Sequence, residues 1–298
     1  MSKFMKIYEL NKAETNNLSA ISIGVFDGVH LGHQKILNKL ISSGPCGVIT
    51  FYKHPRTGIR LIQTFAQRLN YFRKIGINKV FAVSKRDKIL SLSAEQFIRD
   101  IIVPMKIKKV IVGSDFRLGH NRDTDVDLFK EICLKYNITV EKIDVVLEGH
   151  QHKLSSTEIR DKISIGEIES ANSLLGHPFC IKGFVVKGAG LGAKIGFSTA
   201  NIIPHPTKQV VPANGVYRTQ TIIDGRSYKS MTYVGTNPTL KEGKYYSIET
   251  HIPGFSEYLH GQVIEVEFIS KTRNEIKFNS VNELIDAIKK DIEEYLSV

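Results

Sequence analysis

Two histidines set three residues apart carry the most chemical information in the chain, within Gly24-Val25-Phe26-Asp27-Gly28-Val29-His30-Leu31-Gly32-His33-Gln34. Ala20 to Val25 reads as a short apolar strand, and Ile36, Leu37, Leu40 and Ile41 then recur at helical spacing. His30 and His33 therefore fall on the first turn of a helix, where unpaired backbone N–H groups and the positive dipole end favour anions. Imidazoles placed there can donate hydrogen bonds to phosphate oxygens. Gly24, Gly28 and Gly32 let the backbone approach such an anion closely. A bare His-x-Gly-His also fits two ordinary histidines at a helix start, and it is the flanking residues that favour a phosphate site.

Two further stretches have the residue types for phosphate chemistry. Ser155-Ser156-Thr157-Glu158-Ile159-Arg160 opens a helix, and Ser155 with Glu158 has the spacing of a capping box, a purely structural role. The same hydroxyls, backbone N–H groups and forked guanidinium one turn on suit a polyphosphate equally well. Gly188 to Asn201 carries Gly188, Gly190, Gly192 and Gly196, then Thr199 and Asn201 two apart. It lacks the Gly-Lys-Ser/Thr ending of a Walker loop and could be a plain barrel loop.

The elements that must position these residues differ between the two halves. The first alternates strands near Ile21–Val25, Val48–Phe51, Val80–Val83, Val110–Val112 and Ile138–Ile143 with helices over 33–41, 65–74, 94–102 and 126–136. Repeated βα units predict an α/β domain with a parallel sheet, helices on both faces and a ligand site at the carboxyl ends of the strands. After His177-Pro178 the pattern becomes strands separated by Gly, Pro and Asn turns, near 181–186, 216–222, 229–234, 246–251 and 263–269. This predicts a second domain, a small antiparallel β-barrel. A closing helix follows Ser280, which forms a capping box with Glu283 ahead of Leu284, Ile288, Ile292, Tyr295 and Leu296 on one face. The expected domains are 1–177 and 178–298.

Composition excludes several classes. At 298 residues and 42% hydrophobic the chain can bury a proper core. Polar residues interrupt the start and no apolar stretch approaches membrane-spanning length, so a cytoplasmic location with no membrane partner is expected. Cys46, Cys133 and Cys180 lack metal-ligand spacing, and a disulfide framework is not expected. The net charge of +11 is spread out. Its densest group, Lys106, Lys108 and Lys109, lacks interleaved aromatics for base stacking, so anionic small molecules rather than nucleic acid are the expected partners.

The long form of the histidine stretch resembles the nucleotidylyltransferase superfamily signature, and specifically the FAD synthetase branch of bacterial riboflavin kinase/FAD synthetases. The pairing with Ser-Ser-Thr-x-Ile-Arg after the last strand resembles the two-part ATP site of that family. Gly113-Ser114-Asp115-Phe116-Arg117-Leu118-Gly119 is similar to Gly-x-Asp-Phe-Arg-Phe-Gly, and Thr50-Phe51-Tyr52-Lys53-His54-Pro55 to Thr-Phe-x-Pro-His-Pro. The resemblance implies a Rossmann-like nucleotidyltransferase domain in which FMN attacks the α-phosphorus of ATP. His30 and His33 would bind the triphosphate and transition state, with Asp27 beside them as a polar or metal-orienting group. Ser156, Thr157 and Arg160 would hold the outgoing phosphates. Phe51, His54, Pro55, Asp115, Phe116 and Arg117 would line the flavin and nucleotide pocket.

The second half resembles a flavokinase. Its glycine loop is similar to one ending Gly-Arg-x-Leu-Gly-Phe-Pro-Thr-Ala-Asn, Gly235 to Leu240 to Gly-x-x-Pro-Thr-Phe, and Arg273-Asn274-Glu275-Ile276-Lys277-Phe278 to Arg-x-Glu-x-Lys-Phe. This implies riboflavin, ATP and Mg2+ as ligands, with Thr199 and Asn201 as magnesium contacts and Gly188, Gly192, Lys194, Arg273 and Glu275 in the kinase site. Glu249 would be the base, because riboflavin's 5′-hydroxyl must lose a proton; a solvent-facing strand residue is the alternative. Ala193 stands where arginine is usual and Ser198 where proline is usual. The departures leave open a bifunctional enzyme, a FAD synthetase whose barrel binds flavin without phosphorylating it, and a flavin- or nucleotide-sensing regulator.

Overall fold

The computed structural model describes the chain except for residues 1–4, 11–17, 85–87, 145–152, 189, 205–208, 238–244 and 297–298. Pro238, Thr239 and Leu240 of the Gly235 motif, and Ala189 of the glycine loop, therefore lie outside the described residues. Contacts divide the chain into two units, Met1–Ile59 with Gln63–Ser156, and Arg60–Ile62 with Thr157–Val298.

In the first unit β1 (Lys6–Glu9), β2 (Ala20–Ile23), β3 (Cys46–Phe51), β4 (Lys79–Val83) and β5 (Lys109–Gly113) are followed by a short hairpin of β6 (Arg117–Leu118) and β7 (Thr124–Asp125), then by β8 (Thr139–Ile143). Apart from the hairpin these strands form one parallel sheet in the order β1-β4-β3-β2-β5-β8. Its helices are α1 (Leu31–Ser42), α2 (Phe65–Ile75), α3 (Ala94–Phe97) and α4 (Val126–Leu134). Strand alternation sorts the core. Val48, Val80 and Ile111 pack with Leu37, Leu40 and Phe72 of α1 and α2, while Ile21, Ile49, Phe81 and Val110 pack with Phe97, Ile98 and Phe129. Thr64 and Gln67 cap α2 reciprocally, as Ser93 and Gln96 cap α3.

Two local expectations need correction. The helix predicted over 94–102 ends at Phe97 and continues as a π turn over Ile98–Ile102, with Val103 N–H donating to Ile98 O (2.9 Å) and both isoleucines fully buried. β1 was not predicted; its Lys-Ile-Tyr-Glu pattern is mostly exposed, and only pairing with β4 makes it a strand.

The second unit is a closed antiparallel barrel of β9 (Phe179–Val186), β10 (Thr199–Pro204), β11 (Gly215–Ile223), β12 (Arg226–Asn237), β13 (Tyr245–His251) and β14 (Val263–Arg273), in the order β10-β13-β12-β11-β14-β9. It carries α5 (Ser156–Ile165) from Thr157 onward, α6 (Ile168–Leu175), the single turn α7 (Leu191–Lys194) and α8 (Val281–Leu296). β10, which the sequence shows only as the end of the glycine loop, is a full strand, its role set by pairing with β9 and β13. Alternation along β11 turns Tyr217, Thr219 and Thr221 inward, where Thr219 meets Ser230 and Thr232 at 2.8 Å. α6 packs on the barrel through Ile168, Ala171, Leu174 and Leu175. Its Asn172 donates to Phe268 O (2.8 Å) and accepts from Phe179 N–H (2.7 Å).

α8 starts as expected: Ser280 Oγ accepts from Glu283 N–H, and the Glu283 carboxylate accepts from Asn279 N–H. Leu296, expected on the packed face, is 50% exposed. Tyr295, expected on that face, is buried and donates to Thr219 O, and Asp291, not expected there, is buried as well and held by Arg273.

Candidate active sites

β2 ends in a turn with a strained backbone. Phe26, Gly28 and Val29 have φ of 53°, 82° and 37°, so a bulky and a β-branched residue adopt a left-handed conformation that disfavours both. The turn delivers His30 as the N-cap of α1, with its Nδ1 accepting from His33 N–H at 3.4 Å. The two imidazoles stack with ring centres 3.6 Å apart, and His33 meets the edge of Phe26. Burial pushes His30 down to about 4, and burial, then His30 and Arg68, hold His33 well below the usual histidine range. Both rings are therefore neutral at pH 7. His33 Nδ1 is buried without a hydrogen-bond partner, a polar atom left for something the protein itself does not supply.

His33 faces a cavity of about 620 Å³ at the carboxyl ends of β2, β3, β4 and β5. The sheet order reverses beside β2, which pairs with both β3 and β5, and such a switch point opens a crevice. Of the predicted residues, Gly24, Phe26, His33, Phe51, Pro55, Asp115, Phe116 and Arg117 line this cavity. Arg56 and Arg122 line it as well and were missed; each lies in a loop where an arginine has no periodicity to mark it. Gly32 is buried inside α1. His54 instead accepts at Nδ1 from Arg56 N–H (3.1 Å), shaping the loop that carries Arg56. Asp27 is buried and accepts at Oδ1 from Gln63 N–H (3.1 Å).

The second anchor reaches the first through Ser156, whose Oγ donates to Asp27 O at 2.9 Å, joining positions 129 residues apart. Ser155 directly precedes α5. Thr157 and Arg160 continue that helix in the second unit, where Arg160 Nε donates to Arg60 O (2.7 Å).

In the barrel, the period of two puts Thr199 and Asn201 on one face of β10. Antiparallel register sets Asn201 opposite Glu249 and Thr199 opposite His251. Glu249 accepts from Ser247 Oγ at 2.9 Å and from Thr199 Oγ1 at 3.3 Å, and His251 Nδ1 donates to Ser198 O at 2.8 Å. Two cavities meet at Thr199. One of about 340 Å³ runs under α8 and is lined by Gly192, Glu249, Arg273, Glu275 and apolar residues such as Phe197, Leu284 and Ile288. The other, about 440 Å³, is lined by Gly188, Gly190, Ala193, Ser198 and Asn201. Lys194 lines neither cavity. A Cβ at Gly188 would overlap the Asn201 side-chain amide and displace it. Tyr233 and Asn214 both donate to the Glu275 carboxylate, and Arg273 grips Asp291 through Nε (3.0 Å) and Nη2 (2.9 Å). Asp291 was missed, although an acid on the apolar face of a predicted helix was a readable signal.

Comparison with known proteins places both halves. A family model described as FAD synthetase matches residues 12–158, and one described as riboflavin kinase matches residues 175–298. A bifunctional riboflavin kinase/FMN adenylyltransferase from Buchnera aphidicola subsp. Schizaphis graminum is 36% identical over 96% of this chain and 95% of its own. One from Bacillus subtilis is 33% identical over 93% and 91%. A crystal structure described as a macrolide-efflux protein from Streptococcus pneumoniae aligns with a TM-score of 0.86 at 28% identity, covering 97% of each chain. Among the described residues of the present chain, no helix is long and apolar enough to cross a membrane.

Proposed function

The chain belongs to the bifunctional riboflavin kinase/FMN adenylyltransferase family, and we propose that adenylyl transfer runs in the cavity beside His33 and phosphorylation where Glu249 and Thr199 meet. The protein phosphorylates riboflavin to FMN with ATP, then joins FMN to AMP from ATP and releases pyrophosphate to form FAD; it uses magnesium with both nucleotides.

For phosphorylation the carrying observation is that Thr199 lies on the wall of both barrel cavities, within reach of Glu249. Riboflavin occupies the apolar cavity under α8 and ATP the glycine-lined one, so that the 5′-hydroxyl and the γ-phosphoryl group meet between them. Glu249 takes the hydroxyl proton as the new O–P bond forms and ADP leaves. Among the described residues no three His, Cys, Asp or Glu side chains cluster. Thr199 Oγ1 and Asn201 Oδ1 are nevertheless hard oxygen donors that fit a magnesium ion also held by phosphates. That ion supplies charge neutralisation on the transferring phosphoryl group.

Adenylyl transfer needs no base, because a phosphate monoester is largely ionised at neutral pH. An FMN phosphate oxygen attacks the α-phosphorus and the bond to the β-phosphate oxygen breaks. His30, His33, the α1 N-terminus and the Gly24, Gly28 and Gly32 backbone bind the triphosphate. Phe51, Pro55, Asp115, Phe116 and Arg117 hold the flavin and nucleotide, with His54 shaping the loop beside them, and Ser155, Ser156, Thr157 and Arg160 take the outgoing phosphates. Residues 1–177 carry this reaction and 178–298 the kinase. A cytoplasmic location and the absence of a nucleic-acid partner belong to the same reading, supported by three cysteines that form no disulfide and by dispersed lysines.

The test is separation of flavin products after incubating the purified chain with ATP and magnesium, once from riboflavin and once from FMN. The expected result is FMN followed by FAD in the first case and FAD in the second. A chain that converts riboflavin but never forms FAD from FMN would refute the adenylyl-transfer assignment.

A further inference from the structure

Arg68 is the bulkiest side chain among the described residues to be completely buried. It sits in the first full turn of α2, in phase with Phe72 on the core-facing side. Its Nη1 donates to Val25 O (2.5 Å) and to Thr50 Oγ1 (2.9 Å), and its Nη2 donates to Phe51 O (2.7 Å). Thr50 Oγ1 in turn donates to Val25 O (3.1 Å), closing a small ring of hydrogen bonds. Every acceptor is neutral. Arg68 makes no ion pair among the described residues, and its Nε has no partner at all.

Those partners lie at the end of β3 and two residues past the end of β2, where both segments open onto the His33 cavity: Val25 and Phe51 both line it. Val25 is also the last residue before the strained turn, so the guanidinium fork sets where Phe26, Gly28 and Val29 begin. A fork fixes two carbonyls relative to each other as no point charge can. A buried cation whose hydrogen bonds all go to carbonyl and hydroxyl dipoles sits in a medium of low dielectric, where its field reaches further than in water. The guanidinium, pushed down to about 10 by burial and held against that shift by the Asp27 carboxylate, stays charged at pH 7. An anionic ligand in the adjacent cavity completes the balance.

We propose that Arg68 is a positioning residue of adenylyl transfer: its fork holds the Val25 and Phe51 strand ends in register beneath the histidine turn, and its charge is the buried complement of the ATP triphosphate. This rests on the reading that the His33 cavity takes ATP and FMN. Arg68 does not touch the substrates. Its effect passes through the turn and through the field, and should fall on ATP rather than on flavin.

The test uses the full chain with Arg68→Met, Arg68→Lys and Thr50→Val, with riboflavin phosphorylation by the same polypeptide as a measure of folding. Arg68→Met should raise KM for ATP about tenfold and lower kcat for FAD formation about a hundredfold. FMN binding, read by flavin fluorescence, and riboflavin phosphorylation should stay within about twofold. Arg68→Lys keeps the charge without the fork, so KM for ATP should return to within about threefold of wild type while kcat stays about tenfold low. Thr50→Val removes one leg of the ring and should lower kcat at unchanged KM for ATP, which keeps the test open if the Met variant does not fold. Unchanged ATP kinetics in the Met variant, or in Lys and Val together, overturn the inference; so does a loss of FMN binding as large as the loss of ATP response. If wild type itself makes no FAD, it is the assignment of the cavity that fails.

Discussion

His33 is a partly buried imidazole on the cavity wall whose buried Nδ1 has no hydrogen-bond partner, and a protein retains such a group where a ligand completes it. His33→Ala should therefore lower FAD formation from FMN about a hundredfold or more, the usual cost of one lost transition-state donor. Riboflavin phosphorylation should stay within about twofold, since the barrel site shares no group with it; both rates come from the same flavin separation. His30 makes a second, thermodynamic prediction. Its folded value near 4 lies below the ordinary 6.5, so between those values the unfolded chain binds the extra proton. The stabilisation from a neutral His30 is thus complete above pH 6.5, declines as pH falls, and is gone near pH 4. At 1.36 kcal/mol per unit it amounts to about 3 kcal/mol. Denaturant unfolding of wild type against His30→Gln from pH 7 to pH 4 should show a shallower acid loss in the variant, and parallel curves would refute the burial argument.

Glycine governs the barrel site at the level of the element. Gly188 lies two residues past β9 where the Asn201 side chain crosses its Cα, so Gly188→Ala must displace that amide from the face it shares with Thr199. Misplacing a positioning group by about an ångström costs about a hundredfold, and phosphorylation of riboflavin should fall accordingly while FAD formation from supplied FMN persists. Equal kinase rates in the two proteins would remove Asn201 from the magnesium and nucleotide contacts. α8 acts on the same site from the other side. The Arg273–Asp291 pair fastens it over the apolar cavity, so Asp291→Ala should raise KM for riboflavin and leave KM for ATP unchanged. A shift of both constants would mean that α8 supports the barrel rather than the flavin.

At the scale of the whole molecule the question is whether the first reaction needs the barrel. A chain ending at residue 177 keeps Ser155 to Arg160 but uncovers Ile168, Leu174 and Leu175 on α6, an apolar face otherwise packed on β9 and β14. It should convert FMN to FAD, make no FMN from riboflavin, and be less soluble than the full chain. Binding of both ATP and FMN without FAD formation would show that the division at 177 leaves part of the site behind.

Much of this was legible in the residues themselves. Apart from β1, the β6–β7 hairpin and the π turn after α3, the strands and helices of the first unit follow from local periodicity, the capped helix after Ser280 from four residues, and the anion-binding turn from His30, His33 and their glycines, because each depends on neighbours within a turn or two of chain. The order β1-β4-β3-β2-β5-β8, which puts the switch point beside β2, could not be read there. Nor could the strand character of β10, the meeting of Glu249 with Thr199, or the burial of Arg68 and Asp291. An arginine or an acid on an apolar helix face is a visible anomaly in sequence. What it pairs with is decided by strand register and close packing between segments tens to more than a hundred residues apart, and only the tertiary structure brings those segments together.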